Sequence, residues 1–219
     1  MWPAVNRALS TPTDVITVVA FSPDARFFAG GAGVTRYAAD FDLEAVRDTR
    51  ILLWETATGD EVGQLAGHEG PVTAVAFSLD GSMLLSGGLD VVLRLWGVAS
   101  GEQLHRFDGH SSGISSVAFS ADGAYAASGA QDGTLIVWDA VTGDLLRQIR
   151  AHASVLHRLA LTADGSGLRS AAEDGTVHLW HTGLNADVIP DWLIAHRQPQ
   201  PLTYLQLANG SNSGASNCG

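Results

Sequence analysis

The sequence predicts an all-β fold of four four-stranded antiparallel sheets, followed by the start of a fifth. Three observations carry this reading. Tryptophans recur every 42 residues, at Trp54, Trp96, Trp138 and Trp180. The segment "VAFS" stands at 19–22, 75–78 and 117–120, with "LALT" at 159–162 as a diverged copy. Gly67-His68 and Gly109-His110 are followed by Ala151-His152 at the same interval. Self-similarity at a fixed period of this length marks a repeat architecture, in which one supersecondary unit is copied along the chain.

The third copy defines the unit. "ISSVAFS" leads through the turn "ADG" to "AYAASGA", then through "QDG" to "TLIVWDA" and through "VTGD" to "LLRQIRA". Asp-Gly and Thr-Gly pairs tolerate the positive φ of tight hairpins, and the runs between them are rich in strand-forming residues and too short for helices. Four strands per copy place the sheets at about 15–66, 72–108, 114–150 and 156–195. The first copy departs from the pattern. It carries 14 extra residues between Gly30 and Asp48, has Pro12 at the histidine position and has Gly30 at the serine position. "AVNRALS" near the N-terminus aligns with an outer strand. "WLIAHRQPQPLTYLQLA" repeats the outer-to-inner passage, so a fifth unit begins at 196–208 within a repeat region of 1–208. The small polar residues of 209–219 predict a disordered tail.

Composition narrows the function. Charged residues make up only 16% against 46% hydrophobic, which suits a packed core rather than a disordered chain. Twelve basic residues against 23 acidic ones give a formal charge of -11, which opposes nucleic-acid binding and docking on an anionic membrane. No apolar run approaches the roughly 20 residues of a membrane span. The lone Cys218 allows neither an internal disulfide nor a thiolate metal site, and with no signal-peptide pattern the expectation is a cytoplasmic protein. His178 and His181 fall on opposite strand faces, and the alternating Asp40, Asp42 and Glu44 lack the spacing of a calcium loop. "GGAGV" at 30–34 lacks the lysine of a phosphate loop, so neither cofactor nor metal is expected.

Serine, histidine and aspartate do recur together, the ingredients of a nucleophilic hydrolase. They recur in three copies: His68, Ser86, Asp90 and Trp96; His110, Ser128, Asp132 and Trp138; His152, Ser170, Asp174 and Trp180. A catalytic triad works once, beside one oxyanion hole and one pocket. A quartet copied with fixed intervals is a part each repeat needs for itself, and a buried indole N–H needs such an acceptor.

The Gly-His pair, the "VAFS" strand, the Ser and Asp around the second turn, and Trp138-Asp139 together resemble the WD-repeat β-propeller family, over roughly residues 5 to 182. The regularity of repeats two and three is similar to that of bacterial WD-repeat proteins. The resemblance implies a blade for each repeat, ring-like packing around a central channel, and a structural hydrogen-bond chain. In that chain Asp132 would accept from the His110 ring, His110 would meet Ser128, and Ser128 would take the Trp138 indole N–H. It also implies an incomplete ring, since the family usually has seven blades. Three accounts stay open: a truncated or partial propeller, two copies sharing an eight-blade ring, or a small closed ring.

Within the family, partners bind the face formed by outer-to-inner connections and second-to-third strand turns. The residues placed there are Val15, Thr17 and Arg47; Pro71, Thr73 and Leu89; Gly113, Ser115 and Gln131; and Val155, His157 and Glu173. The inserted loop rises from the same face and adds Arg36, Tyr37 and Phe41. The expected function is a non-catalytic scaffold for a protein or peptide partner. The alternatives are a propeller enzyme or ligand-binding module using His157, Glu173 and Arg47 at the channel mouth, and the sensor region of a larger signalling protein.

Overall fold

The computed structural model describes residues 15–33 and 49–183, which form four antiparallel sheets and no helix. The first sheet contains β1 (Ile16–Phe21), β2 (Phe27–Ala32), β3 (Ile51–Glu55) and β4 (Glu61–Leu65). The second contains β5 (Val72–Phe77), β6 (Met83–Gly88), β7 (Leu93–Gly97) and β8 (Gln103–Phe107). The third contains β9 (Ile114–Phe119), β10 (Tyr125–Ala130), β11 (Thr134–Asp139) and β12 (Leu145–Arg150). The fourth contains β13 (Leu156–Leu161), β14 (Gly167–Ala172) and β15 (Val177–His181), three strands where four were expected. The remainder of the fourth unit lies outside the described residues, as do the N-terminal strand, the insertion, the fifth unit and the tail. Within each sheet the strands pair in sequence order, and the inner strands β1, β5, β9 and β13 contact one another in series.

A hydroxyl locks each first hairpin. Ser78 Oγ donates to Asp80 at 2.6 Å and accepts the Met83 N–H at 2.9 Å. Ser22 with Asp24, Ser120 with Asp122 and Thr162 with Asp164 repeat the donor step. These short polar side chains substitute for backbone partners inside the turn.

The sheets bury residues on both faces, so the hydrophobic cores lie between them. Ala29, Ile51, Leu53 and Leu65 of the first blade meet Val72, Leu84 and Trp96 of the second. Leu85, Leu93, Leu95 and Phe107 meet Ile114, Ala126, Ile136 and Trp138. Ala127, Leu135, Val137 and Ala151 meet Leu156, Leu159 and Leu168. Fully burying each such side chain contributes about 1.5–3 kcal/mol, which neither sheet obtains alone.

Two further devices recur at every join. A glycine opposite the next inner strand admits that strand's first apolar side chain. A Cβ on Gly31, Gly87 or Gly129 would lie 2.7, 2.4 or 2.5 Å from Val72, Ile114 or Leu156 respectively. A hydroxyl then spans the seam. Thr17 donates to the carbonyls of Gly31 and Val72, Thr73 to those of Gly87 and Ile114, and Ser115 to those of Gly129 and Leu156.

The close approach at Gly87 is testable. Gly87→Ala overpacks the seam and should destabilise by about 1–3 kcal/mol, read as a lowered urea midpoint. In an Ile114→Ala background the added methyl has room, so the same substitution should cost markedly less. Additive effects of the two changes would contradict the packing described.

Candidate functional site

The polar quartet lies beneath the loop face and differs in each blade. In the second blade it is complete. The Trp96 indole N–H donates to Ser86 Oγ at 2.7 Å, and Ser86 lies 2.7 Å from His68 Nε2. His68 Nδ1 lies 2.8 Å from Asp90, which also accepts the Glu69 N–H at 3.1 Å. A carboxylate only accepts, so the neutral ring carries its proton on Nδ1 and takes the Ser86 hydroxyl proton at Nε2. Burial opposes ionisation of Asp90, but the hydrogen bond from His68 and two backbone N–H groups hold its carboxyl below the usual value. Arg94 is buried beside it at 3.9 Å and donates to Gln103.

In the third blade the expected Asp132–His110 bond is not made. His110 Nε2 meets Ser128 at 2.7 Å and Trp138 donates to Ser128 at 2.9 Å, but His110 Nδ1 is buried without a partner. Asp132 instead accepts the Ser111 hydroxyl at 3.1 Å and the Thr134 N–H at 2.9 Å. Ser111 follows His110 where the second blade has Glu69, and its hydroxyl supplies the competing donor. Burial pushes the His110 imidazole down to about 4, with the Asp132 charge pulling the other way.

The fourth blade inserts a relay. His152 Nε2 meets Ser170 at 2.7 Å and Trp180 donates to Ser170 at 2.9 Å. His152 Nδ1 lies 3.0 Å from Thr176 Oγ1 and 3.4 Å from Asp174, while the Thr176 hydroxyl donates to Asp174 at 2.6 Å. Those Thr176 bonds lead the causes that lower the Asp174 carboxyl to about 2. His178 stacks on His152 with ring centroids 4.4 Å apart, and burial followed by the His178 charge lowers the His152 imidazole. The first blade has no such chain among its described residues. A Cβ at Gly30 would lie 2.8 Å from Trp54, whose ring stacks on Phe28 at 4.9 Å.

Above this network, four backbone bonds place the candidate residues at one end of the sheets. Leu89, Gln131 and Glu173 N–H donate at 2.9 Å to Pro71, Gly113 and Val155, and Gly33 donates to Val15 at 3.1 Å. Gly33 therefore takes the register expected for Arg47. Arg47, Arg36, Tyr37 and Phe41 fall outside the described residues. Val15, Leu89, Gln131, His157 and Glu173 are exposed, and Val155 is partly so. Several expected surface residues have other roles. Pro71 and Gly113 are buried in the seams, Gly113 beneath the Leu89 side chain, where a Cβ would approach to 2.7 Å. Thr17, Thr73 and Ser115 are the seam-spanning hydroxyls. Their interval was visible in the sequence, but their carbonyl partners lie one blade away.

The second blade breaks the turn pattern. Gln131-Asp132-Gly133 and Glu173-Asp174-Gly175 become Leu89-Asp90-Val91. Gly133 and Gly175 have φ of 79° and 77°, and Val91 adopts 61°. A β-branched residue in the left-handed region is strained. Leu89 beside it is 40% exposed. Among the described residues, no cluster of three or more His, Cys, Asp or Glu side chains is arranged to hold a metal ion, and no helix is long and apolar enough to cross a membrane.

Two outcomes follow from the unequal networks. Asp90→Ala strands the His68 and Glu69 N–H groups and should cost about 1–3 kcal/mol, more than Asp132→Ala, which leaves the His110 bonds as they are. Equal losses in urea titrations would contradict these geometries. The His110 value of about 4 lies below the ordinary 6.5 of an unfolded histidine, so folding favours the neutral ring. That contribution is complete above pH about 6.5 and drains away as pH falls toward about 4, where the folded ring takes its proton. His110→Gln should flatten this acid slope, and an unchanged slope would refute the assignment.

Comparison with known proteins accords with the blade geometry. The model of the WD domain, G-beta repeat, matches residues 59–97, 101–139 and 143–181, more than half the chain. The chain is 46% identical over 44 residues to the periodic tryptophan protein 2 homolog of Schizosaccharomyces pombe, covering 20% of this chain and 5% of that protein. It is 34% identical over 77 residues to an uncharacterized WD repeat-containing protein of Synechocystis, covering 35% and 18%. It is 38% identical over 69 residues to nuclear distribution protein PAC1-2 of Uncinocarpus reesii, covering 32% and 15%. The chain thus spans less than a fifth of the length of each relative. Its three matched repeats, each with strands in the same register, make this chain a member of the WD40 repeat family, whose repeats generally serve as protein-interaction scaffolds and are generally non-catalytic.

Proposed function

We propose that this chain is a non-catalytic scaffold that presents its loop face to a protein or peptide partner. The observation that carries the reading is the Leu89-Asp90-Val91 turn. It puts an exposed leucine over the seam between the second and third blades and holds a valine at φ 61° where the next two turns have glycine. Backbone strain of this kind clusters at functional sites, which supports the reading. Leu89 supplies an apolar anchor, and Gln131 next to it supplies an adaptable polar contact, the usual mixture at the centre of an interface.

The described residues on either side of the insertion lie at the same face. Gly33 donates to Val15 there, and the Thr49 hydroxyl donates to the His68 carbonyl. Arg36, Tyr37, Phe41 and Arg47 are of the types enriched at interfaces. What favours a non-catalytic reading is that the repeated Ser and His side chains are bonded to each other and to tryptophan below the surface.

Site-specific photo-crosslinking tests this. A crosslinker at Gln131 should capture a defined partner, and one at Val141, 74% exposed at the opposite end of the same sheet, should not. Leu89→Asp should abolish capture while leaving the melting transition in place. Capture from Val141 that ignores Leu89→Asp would move the interface elsewhere. Val91→Gly separates the two costs. Relief of the strained φ should raise stability by about 1 kcal/mol, while partner capture weakens.

A further inference from the structure

Each internal join is built from two cross-strand rows on the face a blade presents to its successor. In the first blade the rows are Val18, Gly31 and Ile51, and Ala20, Ala29 and Leu53. In the second they are Ala74, Gly87 and Leu93, and Ala76, Leu85 and Leu95. In the third they are Ser116, Gly129 and Leu135, and Ala118, Ala127 and Val137. The pattern is constant: a glycine in the middle of the first row, no charge in either row, and the spanning hydroxyl of Thr17, Thr73 or Ser115 at the rim.

The fourth blade keeps the register and breaks every one of these rules. Its rows are Arg158, Ala171 and Val177, and Ala160, Arg169 and Leu179. Ala171 carries a Cβ where the joins leave 2.4–2.7 Å to the incoming Val, Ile or Leu. Arg158 and Arg169 bring two guanidinium groups into rows that are otherwise apolar or small, and burying an unpaired charge there would cost far more than the core returns. His157 replaces the spanning hydroxyl. All three changed polar side chains are exposed, as are Val177 at 65% and Leu179 at 67%.

The first described sheet keeps the receiving pattern. Val19 and Phe21 occupy the positions of Val75 and Phe77, which pack on the preceding blade, yet they are 58% and 62% exposed. A chain with a receiving face at one end and a matching donor face at the other would add copies head to tail, since a heterologous contact does not stop itself unless it closes.

We infer that the exposed face of the fourth sheet is a built-in stop against self-association: His157, Arg158, Arg169 and Ala171 together block docking of the first blade of a second copy in the regular manner.

The test restores the donor pattern with His157→Ser, Arg158→Ala, Arg169→Ala and Ala171→Gly in the full chain, and compares masses by sedimentation over a wide concentration range. The native chain should keep a monomer mass throughout. The restored chain should at least double its mass as concentration rises, and Val19→Asp added at the receiving end should return it to monomer. A milder pair, Arg169→Ala with Ala171→Gly, serves if the fourfold variant does not give a cooperative melt, and should shift the same equilibrium more weakly. Two results would overturn the inference. One is a native chain that already associates and is dissociated by Val19→Asp; the other is a folded restored chain that stays monomeric.

Discussion

Burial on both faces of every sheet is the constraint from which the rest of the structure follows. A four-stranded sheet of this size has too little apolar area on one face to offset the entropy of ordering it. The sequence places large side chains on both faces, and the second and third blades each contribute to two separate cores. Neighbouring blades then share each core, and contacts run between consecutive units as in other stacked repeats. The glycines at 31, 87 and 129 and the hydroxyls at 17, 73 and 115 answer the same constraint, because both bring the inner strands close enough for the cores to fill.

The buried quartet answers a second need that the first one creates. Packing a tryptophan against the preceding sheet removes its indole N–H from water, and that donor must be met inside. Ser86, Ser128 and Ser170 meet it in the same way, and the imidazole behind each serine accepts the hydroxyl proton. Beyond the imidazole the blades diverge: a direct carboxylate in the second, an unpartnered Nδ1 in the third, a threonine relay in the fourth. The part nearest the core is uniform because it faces the same packing in each blade. The far part meets turn residues that differ from blade to blade, Glu69, Ser111 and Thr176 among them, so its bonds differ too.

The same gradient explains what could be read from the sequence. The period, the strand pattern and the Ser–Trp pairing are local or repeated, so 42-residue spacing exposes them directly. The Asp132 contact was misplaced because its outcome depends on Ser111, a neighbour without a counterpart in the other repeats. Thr73 and Ser115 were assigned to the surface for a different reason. Strand alternation gives the face of a side chain but not the chain that lies opposite, and here that is a carbonyl 41 residues onward. Gly33 in place of Arg47 reflects an insertion whose position within the turn only strand pairing resolves.

In an array of this kind, specificity has to be sought where the repeats disagree. A feature present in every blade serves the blade, since a partner that met identical sites in series could not be held in one register. The disagreements sort by what they do to the surrounding structure. Thr176 repairs a buried bond and gains nothing outside. Arg158 and Arg169 are exposed, and with Ala171 they depart from the glycine and apolar pattern by which the other blades are joined. The Leu89-Asp90-Val91 turn does neither: its valine adds strain, its leucine remains 40% exposed, and in the quartet below it the imidazole meets its carboxylate directly at 2.8 Å. The proposed recognition at this turn rests on that combination: an exposed departure held over a hydrogen-bonded buried support is already ordered, so an anchor there would bind without the entropy loss of being fixed.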